Sequence, residues 1–148
     1  MKKIVLALMM IVLLNNPVFA AGGIELFLND LNVQARADQN GFSAKLSAQF
    51  GVPLARVQVV IKTVKEPADA FMCFQLGQMT QKPSETVMKE YQANKGKGWG
   101  VIAKNLGIKP GSPEFHALKN GDFVFNGEPG KGSGKGKGKG KGKGRNRQ

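Results

Sequence analysis

The chain has 148 residues, with 22 Lys and Arg against 10 Asp and Glu, a formal net charge of +12. A single cysteine, Cys73, excludes an internal disulfide, and a single histidine, His116, excludes a multi-histidine metal site. Setting aside the two unusual ends leaves about 105 residues, enough for one hydrophobic core and not two.

Residues 1–20 read as a secretory signal peptide. Lys2 and Lys3 form a positive start, Ile4 to Leu14 is an uninterrupted apolar run, and Asn15-Asn16-Pro17 breaks it before Val18-Phe19-Ala20. The run is too short to anchor across a bilayer, so the mature chain is expected from Ala21 without a transmembrane segment. A retained N-terminal anchor is the alternative. The expected destination is export, periplasmic or secreted.

From residue 21 to 126 the signals are mostly helical. Ile24, Phe27, Leu28, Leu31 and Ala35 recur at helical spacing, although Leu31-Val33-Ala35-Ala37 also alternates like a strand. Phe42, Leu46 and Phe50 lie four apart in a short amphipathic stretch stopped by Gly51. Pro53 fits the first turn of a following helix with Leu54, Val57, Ile61 and Val64 on one face, and the Val content keeps a strand possible. Pro67 opens Ala68 to Met79, apolar around much of its circumference and therefore expected at the centre.

Pro83-Ser84-Glu85 starts a helix that runs through Val87, Met88 and Tyr91 to Asn94. A glycine-rich loop, Lys95 to Gly100, precedes a helix at about Val101 to Leu106 that Gly107 stops. Ser112-Pro113-Glu114 starts a last short helix with Phe115 and Leu118, after which Phe123-Val124-Phe125 is an apolar clip in turn-like chain. The expectation is an all-α single domain of five to seven short helices. Ser47 to Pro53 faintly echoes Ala103 to Pro110: each reads helix, glycine stop, apolar plug, proline.

Residues 127–148 form a basic tail. Lys131, Lys135, Lys137, Lys139, Lys141, Lys143, Arg145 and Arg147 stand in the last 18 residues with no acid among them, spaced mainly by glycine. Such a segment has nothing to bury against the entropy of ordering and is expected to be disordered. Without the first 20 residues the chain carries 20 basic and 10 acidic residues; eight of those cations are in the tail, leaving +2 on 21–130. The high charge belongs to the tail, and the body is near neutral.

Motifs with catalytic or nucleotide chemistry fail on inspection. Gly96-Lys97-Gly98-Trp99-Gly100 lacks the dinucleotide-binding spacing, and Gly127 to Gly132 lacks the Ser or Thr of a phosphate loop. A helix-turn-helix around Gly51 needs only what any tight helical hairpin needs, so sequence-specific DNA binding is not expected. Cys73 lies in an apolar run and reads as a buried, inert thiol, with a Cys73–His116 pair as the alternative. Glu66, Asp69, Glu85 and Glu114 each stand at a helix start, where negative charge is favoured. Catalytic residues, metal ligands and cofactors are therefore not assigned. Lys95, Lys97 and Lys104 near Trp99 form a candidate basic and aromatic patch for an anionic ligand, against core packing of the tryptophan as the alternative.

The stretch Gly96 to Lys119, GKGWGVIAKNLGIKPGSPEFHALK, with Pro67-Ala68-Asp69-Ala70 and Glu90-Tyr91, resembles a family of small exported bacterial proteins of unassigned function. The resemblance covers Pro67 to Lys119 and implies a helical body and a bacterial envelope or extracellular destination. It implies no activity, cofactor or catalytic residue. The expected partners are polyanions met by the tail: lipopolysaccharide, acidic polysaccharide, nucleic acid, or an anionic membrane surface. An enzyme acting on an envelope polymer, with the tail as substrate tether, and a chaperone-like or structural partner of exported proteins are the alternatives.

Overall fold

The computed structural model describes residues 22–126 and 128–129. The expected signal peptide and the basic tail beyond residue 130 lie outside them. Seven helices and one two-residue strand pair make up the described residues, so the fold is all-α in essence.

Helix α1, Gly23–Ala37, begins with the Glu25 carboxylate accepting the Gly22 N–H at 2.9 Å, and it buries Phe27, Leu31 and Ala35, four apart. The alternating reading of that stretch loses to the helical one because Ile24, Phe27, Leu28, Leu31 and Ala35 share the core-facing side while Val33 is exposed. In α2, Gln39–Phe50, Asp38 accepts the Gly41 N–H at 2.8 Å, and Phe42, Ser43 and Leu46 are buried. Gly51 ends α2 at φ 64, with the Val52 N–H bonded back to the Ser47 carbonyl at 3.2 Å.

The Val-rich stretch is helical as well. Helix α3, Leu54–Thr63, starts one residue after Pro53, which caps it from outside, and buries Val57, Val60 and Ile61. Val64 does not continue the helix face; it leaves in extended conformation with its side chain still buried. Tertiary packing against α2 and the next helix decides the conformation over intrinsic β preference.

Helix α4, Pro67–Thr80, is central, as its composition predicts. Eight of its 14 residues are buried, and α1, α2, α3 and α5, Ser84–Ala93, all pack on it. Phe71 is fully buried and its ring meets Phe27 at 5.1 Å, Phe50 at 5.5 Å, Phe123 at 6.0 Å and Phe125 at 5.9 Å. Edge-to-face pairs at such distances add about 0.5–1.5 kcal/mol each beyond area burial.

Helix α6, Trp99–Asn105, starts two residues before its expected place. Gly98, at φ 83, caps it and lets Trp99 take the first helical position, so the expected loop ends at Gly98. Helix α7, Pro113–Asn120, is capped by the Ser112 hydroxyl, which accepts the Phe115 N–H at 3.2 Å.

The expected turn after Gly121 contains a short ladder, β1 at Val124–Phe125 with β2 at Glu128–Pro129, antiparallel. Strand β2 falls within the stretch assigned to the tail. Phe123 and Phe125 enter the core while Val124 points out, 52 % exposed. Gln49 of α2 holds this clip with both ends of one amide: its Nε2 donates to the Val124 carbonyl at 2.8 Å, and its Oε1 accepts the Asn126 N–H at 2.9 Å. The first and last helices also meet. A Cβ on Gly121 would stand 2.5 Å from the Gly23 carbonyl oxygen, so α1 and α7 meet through glycine backbone.

Candidate functional site

Three of the residues that stand in the resemblance, Asp69, Tyr91 and Trp99, converge on one polar cluster. Asp69 is the third residue of α4, and its position follows from the helix start: Pro67 is pre-set for the first turn, and Glu66 and Asp69 form a reciprocal cap. The Glu66 N–H donates to Asp69 Oδ2 at 3.3 Å, and the Asp69 N–H to the Glu66 carbonyl at 2.9 Å. From α5, Tyr91 donates its hydroxyl to the same Oδ2 at 2.7 Å and accepts the Lys65 N–H at 3.1 Å. From α6, Trp99 stacks on the Tyr91 ring at 5.3 Å and an interplanar angle of 21°.

Electrostatics follow from this burial. Desolvation pushes the Asp69 carboxyl above its ordinary 3.8, opposed by hydrogen bonds from Tyr91, the Glu66 backbone and the Trp99 indole. Burial likewise raises the Tyr91 hydroxyl to about 12, against the Lys65 hydrogen bond and with Asp69 adding to the rise. One turn along α4, the Cys73 thiol is pushed up to about 12, first by burial and then by the Asp69 charge. A thiol held there is no nucleophile near neutral pH.

A second cluster adjoins it on α5. Glu90 Oε2 accepts from Asn94 Nδ2 at 3.1 Å and from Asn105 Nδ2 at 3.2 Å, tying α6 to α5. Among the described residues, every buried side-chain nitrogen and oxygen has a hydrogen-bond partner. Asp69, Tyr91 and Trp99 thus lock the start of α4 to α5 and α6.

Cys73 and His116 are not brought together: the thiol is buried in α4, the imidazole is exposed on α7, and no hydrogen bond joins them. Glu85 and Glu114 stand in the first turns of α5 and α7, as their sequence positions predict. Of the candidate patch, Lys95, Lys97 and Lys104 are exposed while Trp99 is half-buried against the core. Lys104 follows Trp99 by five residues, which turns it well away from the indole on a helix of 3.6 residues per turn. The eight tail cations, Lys131 to Arg147, lie outside the described residues.

Sequence reading singled out each member of the Asp69–Tyr91–Trp99 set without joining them. The only signal that linked them was their shared place in the resembling segments. Gln49, which carries no motif, was not found at all. Among the described residues no helix is long and apolar enough to cross a membrane, and no group of three or more His, Cys, Asp or Glu is placed to hold a metal ion. No family model, curated protein or solved structure matches the chain.

Proposed function

We propose that this is a non-enzymatic exported protein whose basic C-terminal segment attaches it to anionic envelope or extracellular polymers. The helical body is the cargo so attached and presents the partner surface. One observation carries the reading: eight cations without an acid in the last 18 residues, against +2 on residues 21–130. Charge so segregated serves diffuse electrostatic contact and leaves the body free of long-range attraction to polyanions. The signal-like first 20 residues and the resemblance to small exported bacterial proteins support an envelope or extracellular setting.

The body's chemistry agrees with a non-catalytic role. Its two raised acid groups, Asp69 and Tyr91, are hydrogen-bonded to each other, and burial pushes its thiol up to about 12. Titration of the intact protein and of a form ending at Gly130 with heparin, duplex DNA and lipopolysaccharide across a salt series tests the reading. Full engagement of eight cations on duplex DNA gives a slope of log affinity on log salt of about −7. The shortened form should lose nearly all of that slope. Equal affinity and slope for both forms would overturn the attachment.

A further inference from the structure

Helices α2 and α3 fold back on each other through the turn at Gly51, which sets the start of α2 beside the end of α3. A cavity of about 240 Å³ opens between them, lined by Gln39, Asn40 and Ser43 from α2 and by Gln58, Ile61 and Lys62 from α3. Residues three and four apart share one helix face, which is why these positions converge. The cavity is smaller than the roughly 300–1,000 Å³ of drug-sized sites and suits one small ring.

Its lining is polar and open to a ligand. The side-chain amides of Gln39, Asn40 and Gln58 and the Lys62 ammonium are exposed, and among the described residues none of these four groups is bonded to the protein. The Gln49 amide and the Arg36 and Arg56 guanidiniums, by contrast, are all taken up. Beneath them Ser43 is 2 % exposed; its hydroxyl donates to the Gln39 carbonyl at 2.8 Å and keeps its oxygen as an acceptor. Lys62 is the one charge in the lining. Asp38, next in sequence, is occupied in accepting the Gly41 N–H at 2.8 Å, so the seat is made of side chains and uses no free helix N–H.

The donor set selects the ligand chemistry. Each amide offers a carbonyl acceptor beside an NH₂ donor, which matches neighbouring hydroxyls that both donate and accept. One ammonium without a counter-acid matches one carboxylate. A phosphate or sulfate cluster would need several cations, and a nucleobase or acyl chain would need an aromatic or an exposed aliphatic wall, which this lining lacks. A ring carrying adjacent hydroxyls and a single carboxylate is a sugar acid.

We infer that this cavity binds one hexuronate residue of an acidic polysaccharide, with its carboxylate at Lys62 and its hydroxyls at the Gln39, Asn40 and Gln58 amides. The inference rests on the proposed attachment for its polymer partner and deepens it. The basic segment holds such a polymer by charge alone, and the body adds short-range recognition of the sugar, which needs no net charge on the body.

NMR titration of the intact protein with galacturonate, galactose and trigalacturonate tests this, at physiological ionic strength, where salt screens exposed charges. Saturable binding of galacturonate is expected, with amide shifts centred on residues 39–43 and 58–62, and the trimer should shift the same residues. Galactose should bind about tenfold more weakly, for want of one charge-assisted hydrogen bond. Lys62→Gln, at an exposed position, should bring galacturonate down to the level of galactose and leave galactose unchanged. Gln58→Ala, also exposed, should weaken both sugars about threefold. Galactose bound as tightly as galacturonate would overturn the site, as would affinities unmoved by both substitutions. Exclusion of the trimer while the monomer binds would overturn the polysaccharide. Shifts confined to residues 131–147, with the salt slope of the attachment intact, would overturn the cavity alone; cavity shifts without that slope would overturn the attachment alone.

Discussion

Gly51 and Gly121 end their helices in nearly the same backbone conformation, φ 64 and ψ 29 against φ 68 and ψ 30, yet they do different work. Around Gly51 a Cβ would meet nothing within 4 Å. At Gly121 it would press on the Gly23 carbonyl oxygen at 2.5 Å, with the carbonyl carbon at 2.7 Å. One glycine is needed only for its dihedral; the other is also the place where the first and last helices touch. The lesson is that one local signal, glycine after an amphipathic run, stops a helix in both cases and reveals nothing of what packs behind it.

Gly121→Ala gives the largest expected effect. It combines the left-handed penalty of about 1–2 kcal/mol with displacement of α1, for a total of about 3–5 kcal/mol in denaturant unfolding. Gly51→Ala should cost the dihedral penalty alone, about 1–2 kcal/mol. Equal losses for the two would break the comparison and remove the α1–α7 contact from the account. Gln81→Gly reverses the experiment at a third left-handed helix end and should raise stability by about 0.5–1 kcal/mol, the relieved strain less the extra entropy of glycine. A loss there would mean that the Gln81 side chain itself stabilises the fold.

Asp69→Asn is the smallest change and probes a helix beginning instead of an end. Burial holds the Asp69 carboxyl above 3.8, so the folded protein binds that proton more tightly than the unfolded chain. Its stabilising contribution is complete below pH 3.8 and is lost as pH rises through the raised folded value. Asparagine keeps an acceptor for the Tyr91 hydroxyl and removes the titration. The stability of the wild type relative to Asp69→Asn should therefore fall across that acid window and level off above it, read as unfolding midpoints in a pH series. A difference that does not change with pH would show that the carboxyl is solvated.

Much of the helical order was legible because it depends on near neighbours in the chain. Phe42, Leu46 and Phe50 share a face by spacing alone, Pro67 and Ser112 announce helix starts, and Gly51 and Gly107 announce turns. What resisted was decided by contacts distant in sequence. The Val-rich stretch from Val57 to Val64 suits strand and helix alike until α2 and α4 pack on it. Trp99 reads as loop until Tyr91, eight residues earlier, offers a ring to stack on. Gln49 looks like any exposed polar residue until the clip at Val124, 75 residues on, supplies a carbonyl at 2.8 Å.

The amino-acid sequence by itself determined the division of charge, the single-core size and the run of short helices, since each depends on composition or on spacing within a few turns. Only the tertiary structure decided that Asp69, Tyr91 and Trp99 form one cluster, that Gly23 and Gly121 bring α1 and α7 together, and that Phe50, Phe74, Gln81 and Lys82 line one cavity. Those groupings join residues up to 98 positions apart along the chain. Their energies come from packing and hydrogen bonds that exist only once the helices have assembled.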